Sequence, residues 1–131
     1  MEKDLSDNRT EKRKTGDRGE DAAVSFLLRK GYQIAARNFR CKTGELDIAA
    51  TLNADQKEGI IAFVEVKVRK SSDFGLPCQA VNEKKQRRLI RSAQFFLLKN
   101  PQYRRLQPRM DIIEILNIND EMYIRHLPNA F

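Results

Sequence analysis

Apolar residues change their spacing several times along the chain, and each change marks an element. Residues 1–15 are almost wholly polar and mix both charge signs, too little apolar surface to order a segment, so a flexible arm is expected there. From Asp17 to Lys30 the positions Ala22, Ala23, Phe26 and Leu27 recur at helical spacing, and Gly31 follows where a helix commonly stops. Tyr32 to Phe39 reads as a strand. Gly44 opens a second strand in which alternation puts Leu46, Ile48 and Ala50 on one face and Glu45, Asp47 and Ala49 on the other. The polar stretch 53–58, with Gly59, reads as the turn out of it.

Ile60 to Val68 is the run richest in β-branched residues, as expected of a central strand covered on both faces, yet Glu65 and Lys67 interrupt it. A loop with Gly75 and Pro77 follows. Leu89, Ala93, Phe96 and Leu97 then mark the buried stripe of a long second helix that ends near Asn100-Pro101. Two more strands, about Met110 to Leu116 and Met122 to Leu127, complete an α/β order α-β-β-β-α-β-β. The expected organisation is a polar arm over 1–15 and one domain over 16–131. A chain of 131 residues, 40% of them hydrophobic, supplies one core rather than two.

Composition narrows the chemistry. No apolar run approaches the roughly 20 residues of a membrane helix, and the start has no apolar signal region, so a cytoplasmic protein without a membrane partner is expected. Cys41 and Cys78 lack the close pairing of a thiolate metal site, and His126 is the single histidine; any metal should be a hard ion held by oxygen. Lysine and arginine number 25 against 18 acidic residues, a net charge of +7 that favours polyanions but is equally compatible with plain solubility.

Glu65 and Lys67, two residues apart on a strand, project side by side. An isolated charge in an apolar interior costs on the order of several kcal/mol, so the pair needs a partner, a metal or access to water; the plainest solution is an ion pair at the strand's solvent end. If the second and third strands form a hairpin, Asp47 faces the same side as Glu65. Two carboxylates about one point suit Mg²⁺ or Mn²⁺, and a neighbouring lysine can orient a water for attack on phosphorus. That chemistry is phosphodiester hydrolysis.

The ordered phrases Gly19-Glu20 with Ala23, Gly31-Tyr32 with Arg37-Asn38, residues 44–49 (GELDIA), residues 63–69 (FVEVKVR), Phe74-Gly75 and Arg109 with Asp111 resemble the YraN-type family of the PD-(D/E)xK nuclease superfamily. The resemblance runs from about Gly16 to Leu116 and departs from the superfamily's nominal motif in having Leu46, not proline, before Asp47. It implies a restriction-endonuclease-like core, a mixed central sheet flanked by helices. It also implies Asp47 and Glu65 as metal carboxylates, Lys67 as the catalytic lysine, Glu20 as an additional helix-borne acid and Gln79 as an auxiliary polar residue. Archaeal Holliday-junction resolvases share that superfamily, and analogy with them extends to a homodimer.

Lys84, Lys85, Arg87, Arg88 and Arg91 crowd the start of the second helix, where cations oppose the helix dipole by about 0.3–1 kcal/mol each. Solvated surface would explain them, but five at that end point to a phosphate track, which Arg40 and Arg69 extend. The leading expectation is a divalent-metal-dependent nuclease acting on DNA, at branched or damaged structures. The alternatives are a non-catalytic nucleic-acid-binding module of the same fold and a protein-interaction scaffold.

Overall fold

The computed structural model describes residues 11–69 and 81–131, with side chains from Asp17 onward. Helix α1 spans Glu11–Arg29, strand β1 Gln33–Cys41, β2 Gly44–Leu52, β3 Ile60–Arg69, helix α2 Glu83–Lys99, β4 Gln107–Ile118 and β5 Glu121–Leu127. The order expected from patterning is the order observed. Helix α1 starts at Glu11, earlier than the expected Asp17, so residues 11–15 of the segment read as an arm are helical. Glu, Lys and Arg are good helix formers, and a polar first turn extends a helix whose buried stripe lies further on. Gln79 and Phe74 lie outside the described residues.

The strands form one mixed sheet in the order β1-β2-β3-β4-β5. Strands β1–β2, β2–β3 and β4–β5 pair antiparallel, while β3 and β4 pair in parallel from Ile60↔Gln107 to Arg69↔Leu116. A parallel pair needs a long connection, and α2 lies within it. The two last strands turn tightly through Asn119 and Asp120, both at positive φ, residue types that tolerate that backbone.

Each face of the sheet carries its own core. Ala23 and Leu27 of α1 pack with Tyr32, Ile48, Ala62, Val64 and Ile113. On the other face Leu89, Ala93 and Phe96 of α2 meet Leu46, Ala49, Ile61, Phe63 and Ile112. Strand β3 is covered on both sides, as its β-branched run predicted.

Both helix ends are chemically specified. At Gly31, φ is +93° and the chain closes α1 with Tyr32 N–H donating to Leu27 O at 3.0 Å, a bond that a residue with a Cβ would strain to make. Asn82 caps α2, its side-chain oxygen accepting from Lys85 N–H at 2.8 Å. Among the described residues no helix is long and apolar enough to cross a membrane.

Candidate active site

The site begins with a break in the pleat. Regular alternation would put Leu46 with Ile48 and Ala50, as expected above; instead Leu46 packs on the α2 face with Ala49, while Ile48 and Ala50 pack on the α1 face. Across from this break, Asn38 of β1 has φ +54°, a left-handed backbone that asparagine tolerates better than most residues. Pairing of β2 with β3 starts at Ile48↔Val64 and goes no further toward Gly44. Where the strands part, Asp47 Oδ2 accepts the Val66 N–H at 2.9 Å, a side chain standing in for a missing strand carbonyl.

Other acids gather around this opening. Gly19 lets α1 lie almost on β3: a Cβ there would fall 2.6 Å from Val68 Cγ2. Its neighbour Glu20 is therefore held low against the sheet, its side chain 13% exposed. With its amide nitrogen turned toward them, Asn38 donates to Glu45 Oε1 at 2.8 Å and to the two Glu20 oxygens at 3.2 and 3.3 Å. Arg37 bonds Asp21 at 2.7 Å and stands 3.8 Å from Glu20. Burial pushes the Glu20 carboxyl up; Arg37 and Asn38 oppose that rise, while Glu45 and Asp17 add to it.

Asp47 feels this crowding most. Its pKa is raised from 3.8 to about 7, first by burial and then by the charge of Glu65; the Val66 hydrogen bond works the other way, and Glu20 and Glu45 add to the rise. Four carboxylates thus bear on one another here: Glu20, Glu45, Asp47 and Glu65. Glu45 and Asn38 both stand in the phrases that carry the resemblance, but neither was given a role at the site.

Glu65 lies on the α2 face of β3, where Lys85 of α2 reaches it: Nζ is 2.8 Å from Glu65 Oε1. Lys67 is the next residue on that face, half-buried and without an ion pair among the described residues. Lys85, expected to face nucleic acid, therefore belongs first to Glu65. Lys84, Arg88 and Arg91 are exposed on α2, Arg87 stands 3.9 Å from exposed Glu83, and Arg40 stands 3.6 Å from Glu45.

Arg69 is placed differently from the other basic residues. Its guanidinium donates to Glu114 Oε2 at 2.7 Å with its side chain 9% exposed, and Arg125 bonds the other Glu114 oxygen at 2.6 Å. Glu114 is fully buried, so Arg69 balances a core charge. A second buried acid, Asp111, takes bonds from Arg109 at 2.8 and 2.7 Å, His126 Nε2 at 2.8 Å and Asn129 N–H at 3.0 Å. Burial alone would raise its pKa, but those bonds outweigh it and hold the carboxyl below its ordinary value. Arg109 and His126 are thereby structural, and Tyr103 stacks on Phe96 of the core.

The donors at the opening are hard carboxylate oxygens, and a site where burial and the charge of Glu65 push the Asp47 carboxyl up suits a divalent cation. Asp47 and Glu65 would hold it. Among the described residues no three acidic, histidine or cysteine side chains are already drawn together as a metal cage, so such an ion would keep several waters.

Comparison with known proteins agrees on one family. A family model described as uncharacterised protein family UPF0102 matches residues 19–115, from Gly19 beside the helix-borne acid to Ile115 of β4. A UPF0102 protein of Caldicellulosiruptor saccharolyticus is 45% identical over 127 residues, covering 92% of this chain and 98% of that protein. One from Pelobacter propionicus is 42% identical over 132 residues, covering 100% of this chain and 91% of its own. One from Caldanaerobacter subterraneus is 41% identical over 124 residues, covering 92% of this chain and 96% of its own. The acids at the opening, the glycine that admits Glu20 and the buried Arg109–Asp111 pair all lie inside the matched span, and the chain belongs to the UPF0102 family.

Proposed function

We propose that the protein is a divalent-metal-dependent nuclease of the restriction-endonuclease-like PD-(D/E)xK kind, cytoplasmic, cutting DNA at branched or damaged structures. The observation that carries this reading is Asp47: its carboxylate is turned in beside Glu65 where β2 and β3 part, and is pushed up to about 7 by burial and neighbouring acids. A repulsive cluster of carboxylates works against the folded state, and perturbed acids in a cleft are a common mark of function.

Asp47 and Glu65 hold Mg²⁺ or Mn²⁺, which when bound supplies positive charge against the phosphate. Lys67, beside Glu65 on the strand, orients the attacking water. Glu20, low on α1, steadies the opening through Asn38. Hydrolysis adds water across one P–O bond, the oxygen joining phosphorus and the leaving oxygen taking up a proton. Lys84, Arg88 and Arg91 meet the DNA backbone.

A second reading is favoured by one contact: Lys85 on Glu65 neutralises half of the carboxylate pair, as a binding module without catalysis would require. Linear, single-stranded and four-way-junction DNA, each with and without Mg²⁺ or Mn²⁺, separate the two. Metal-dependent cutting that disappears in Asp47→Asn and Lys67→Ala is the expected result. Binding to every substrate with no cutting supports the module instead.

A further inference from the structure

Between the β1–β2 turn and the start of α2 lies an open groove of ≈ 380 Å³, with Thr43 and Glu45 on one wall and Lys84, Lys85 and Arg88 on the other. Its charges are unbalanced. Lys84 and Arg88, four residues apart on one helix side, repel each other, and neither makes an ion pair among the described residues. Glu45, the acid on the opposite wall, is already bonded by Asn38 and approached by Arg40. A groove with spare positive charge, edged by the Thr43 hydroxyl that also bonds Ser92 Oγ at 2.7 Å, suits a tetrahedral phosphodiester, whose two non-bridging oxygens share one negative charge.

Lys85 lines this groove and yet spends its ammonium on Glu65, a carboxylate of the neighbouring acidic opening. Its side chain is 48% exposed, against 11% for Glu65, so the ammonium sits at the solvent side of the pair and can leave it without crossing the core. One ammonium cannot serve Glu65 and the groove at full strength. We propose that the groove seats a DNA phosphate and that Lys85 is shared between the two sites: it stays on Glu65 while that carboxylate lacks a divalent ion, and turns to the phosphate when an ion takes its place. Ion and DNA then strengthen each other's binding, since such coupling is reciprocal. The ion half of this inference rests on the nuclease reading; the phosphate half does not.

The test uses anisotropy of a short fluorescein-labelled DNA duplex with the full chain in EDTA. Glu65→Gln releases Lys85 without any ion, and binding should tighten by about two- to fivefold, the worth of a half-exposed ion pair. That gain should vanish when Lys85→Gln is added. Run at about pH 8, where the Asp47 carboxyl carries its charge, Asp47→Asn removes a charge from the same opening but leaves Lys85 on Glu65, and should give no such gain. Ca²⁺ should tighten wild type and not Lys85→Gln. A gain from Glu65→Gln that persists without Lys85 overturns the proposal, as does unchanged affinity in the Lys84→Gln, Arg88→Gln double variant. Because the EDTA arms need neither ion nor cutting, a protein that cuts nothing sinks the nuclease reading while leaving this result to stand or fall separately. Circular-dichroism melts of each variant confirm that all are folded when compared.

Discussion

Asp47 Oδ2 receives the Val66 amide hydrogen at 2.9 Å, so the residue that opens the sheet also closes the hydrogen-bond account of the strand it abandons. One carboxylate therefore has a structural duty and sits among acids that penalise its charge.

That conflict has a pH signature. Because the folded carboxyl titrates near 7 rather than 3.8, the stability it contributes is complete at low pH and is lost as pH rises through about 7. Asp47→Asn keeps an oxygen for Val66 and removes the charge. At about pH 8 it should be more stable than wild type by about 1–3 kcal/mol, and at about pH 4 the two should be nearly equal. Urea unfolding at both pH values measures the difference; a variant less stable at the higher pH contradicts it.

The contact of Gly19 with Val68 should be intolerant of a methyl group. Gly19→Ala must push α1 off β3 or move Val68, and overpacking of this kind costs about 1–3 kcal/mol even though alanine is the better helix former. Denaturant midpoints check the cost. A stabilised variant would mean the helix has room to shift.

Glu114 lies between Arg69 and Arg125 at zero exposure, so removing it strands a guanidinium. Glu114→Ala should cost about 3–5 kcal/mol, whereas Glu114→Leu together with Arg69→Met should cost less, because Arg125, 40% exposed, can turn to water. Comparable losses in the two proteins would show that the charges themselves do little.

Salt dependence sorts the basic residues. If DNA lies along α2, Lys84→Gln and Arg88→Gln should each lower the slope of log affinity against log salt by about 0.7–0.9. Arg69→Gln should leave that slope alone and lower the melting temperature. A slope that responds to Arg69 and not to Arg88 would place the nucleic acid elsewhere.

Much of this was visible in residue spacing. Alternation along residues 60–68 brought out Glu65 and Lys67 as charges on one face of a covered strand, and the apolar stripe of α2 was plain from Leu89 to Leu97. The break at Asp47 was not, because Leu46, Asp47 and Ile48 look like an ordinary pleat; it lies opposite Asn38 of β1, whose left-handed backbone the spacing in β2 does not reveal. Glu45 was passed over although alternation put it on the face of Asp47, because its bond to Asn38 is tertiary, and the basic cluster on α2 concealed two uses, since spacing cannot tell a lysine that meets a carboxylate from one that meets solvent. Arg69 looked like part of a phosphate track until its partner on β4, forty-five residues away in sequence, came into view.

Asp111 is satisfied by Arg109, His126 and the Asn129 amide, while Arg109 reaches back to Tyr32 at 2.6 Å and Ala130 N–H bonds Met110 O at 2.7 Å. These groups come from the link between α1 and β1, from β4, from β5 and from the residues after it. A partly folded chain can offer the carboxylate only its near neighbour Arg109, so full solvation is surrendered only when every one of the others has arrived. Through Arg109, Asp111 thereby links the last hairpin to Tyr32, so that loosening the final strand costs a buried carboxylate its partners.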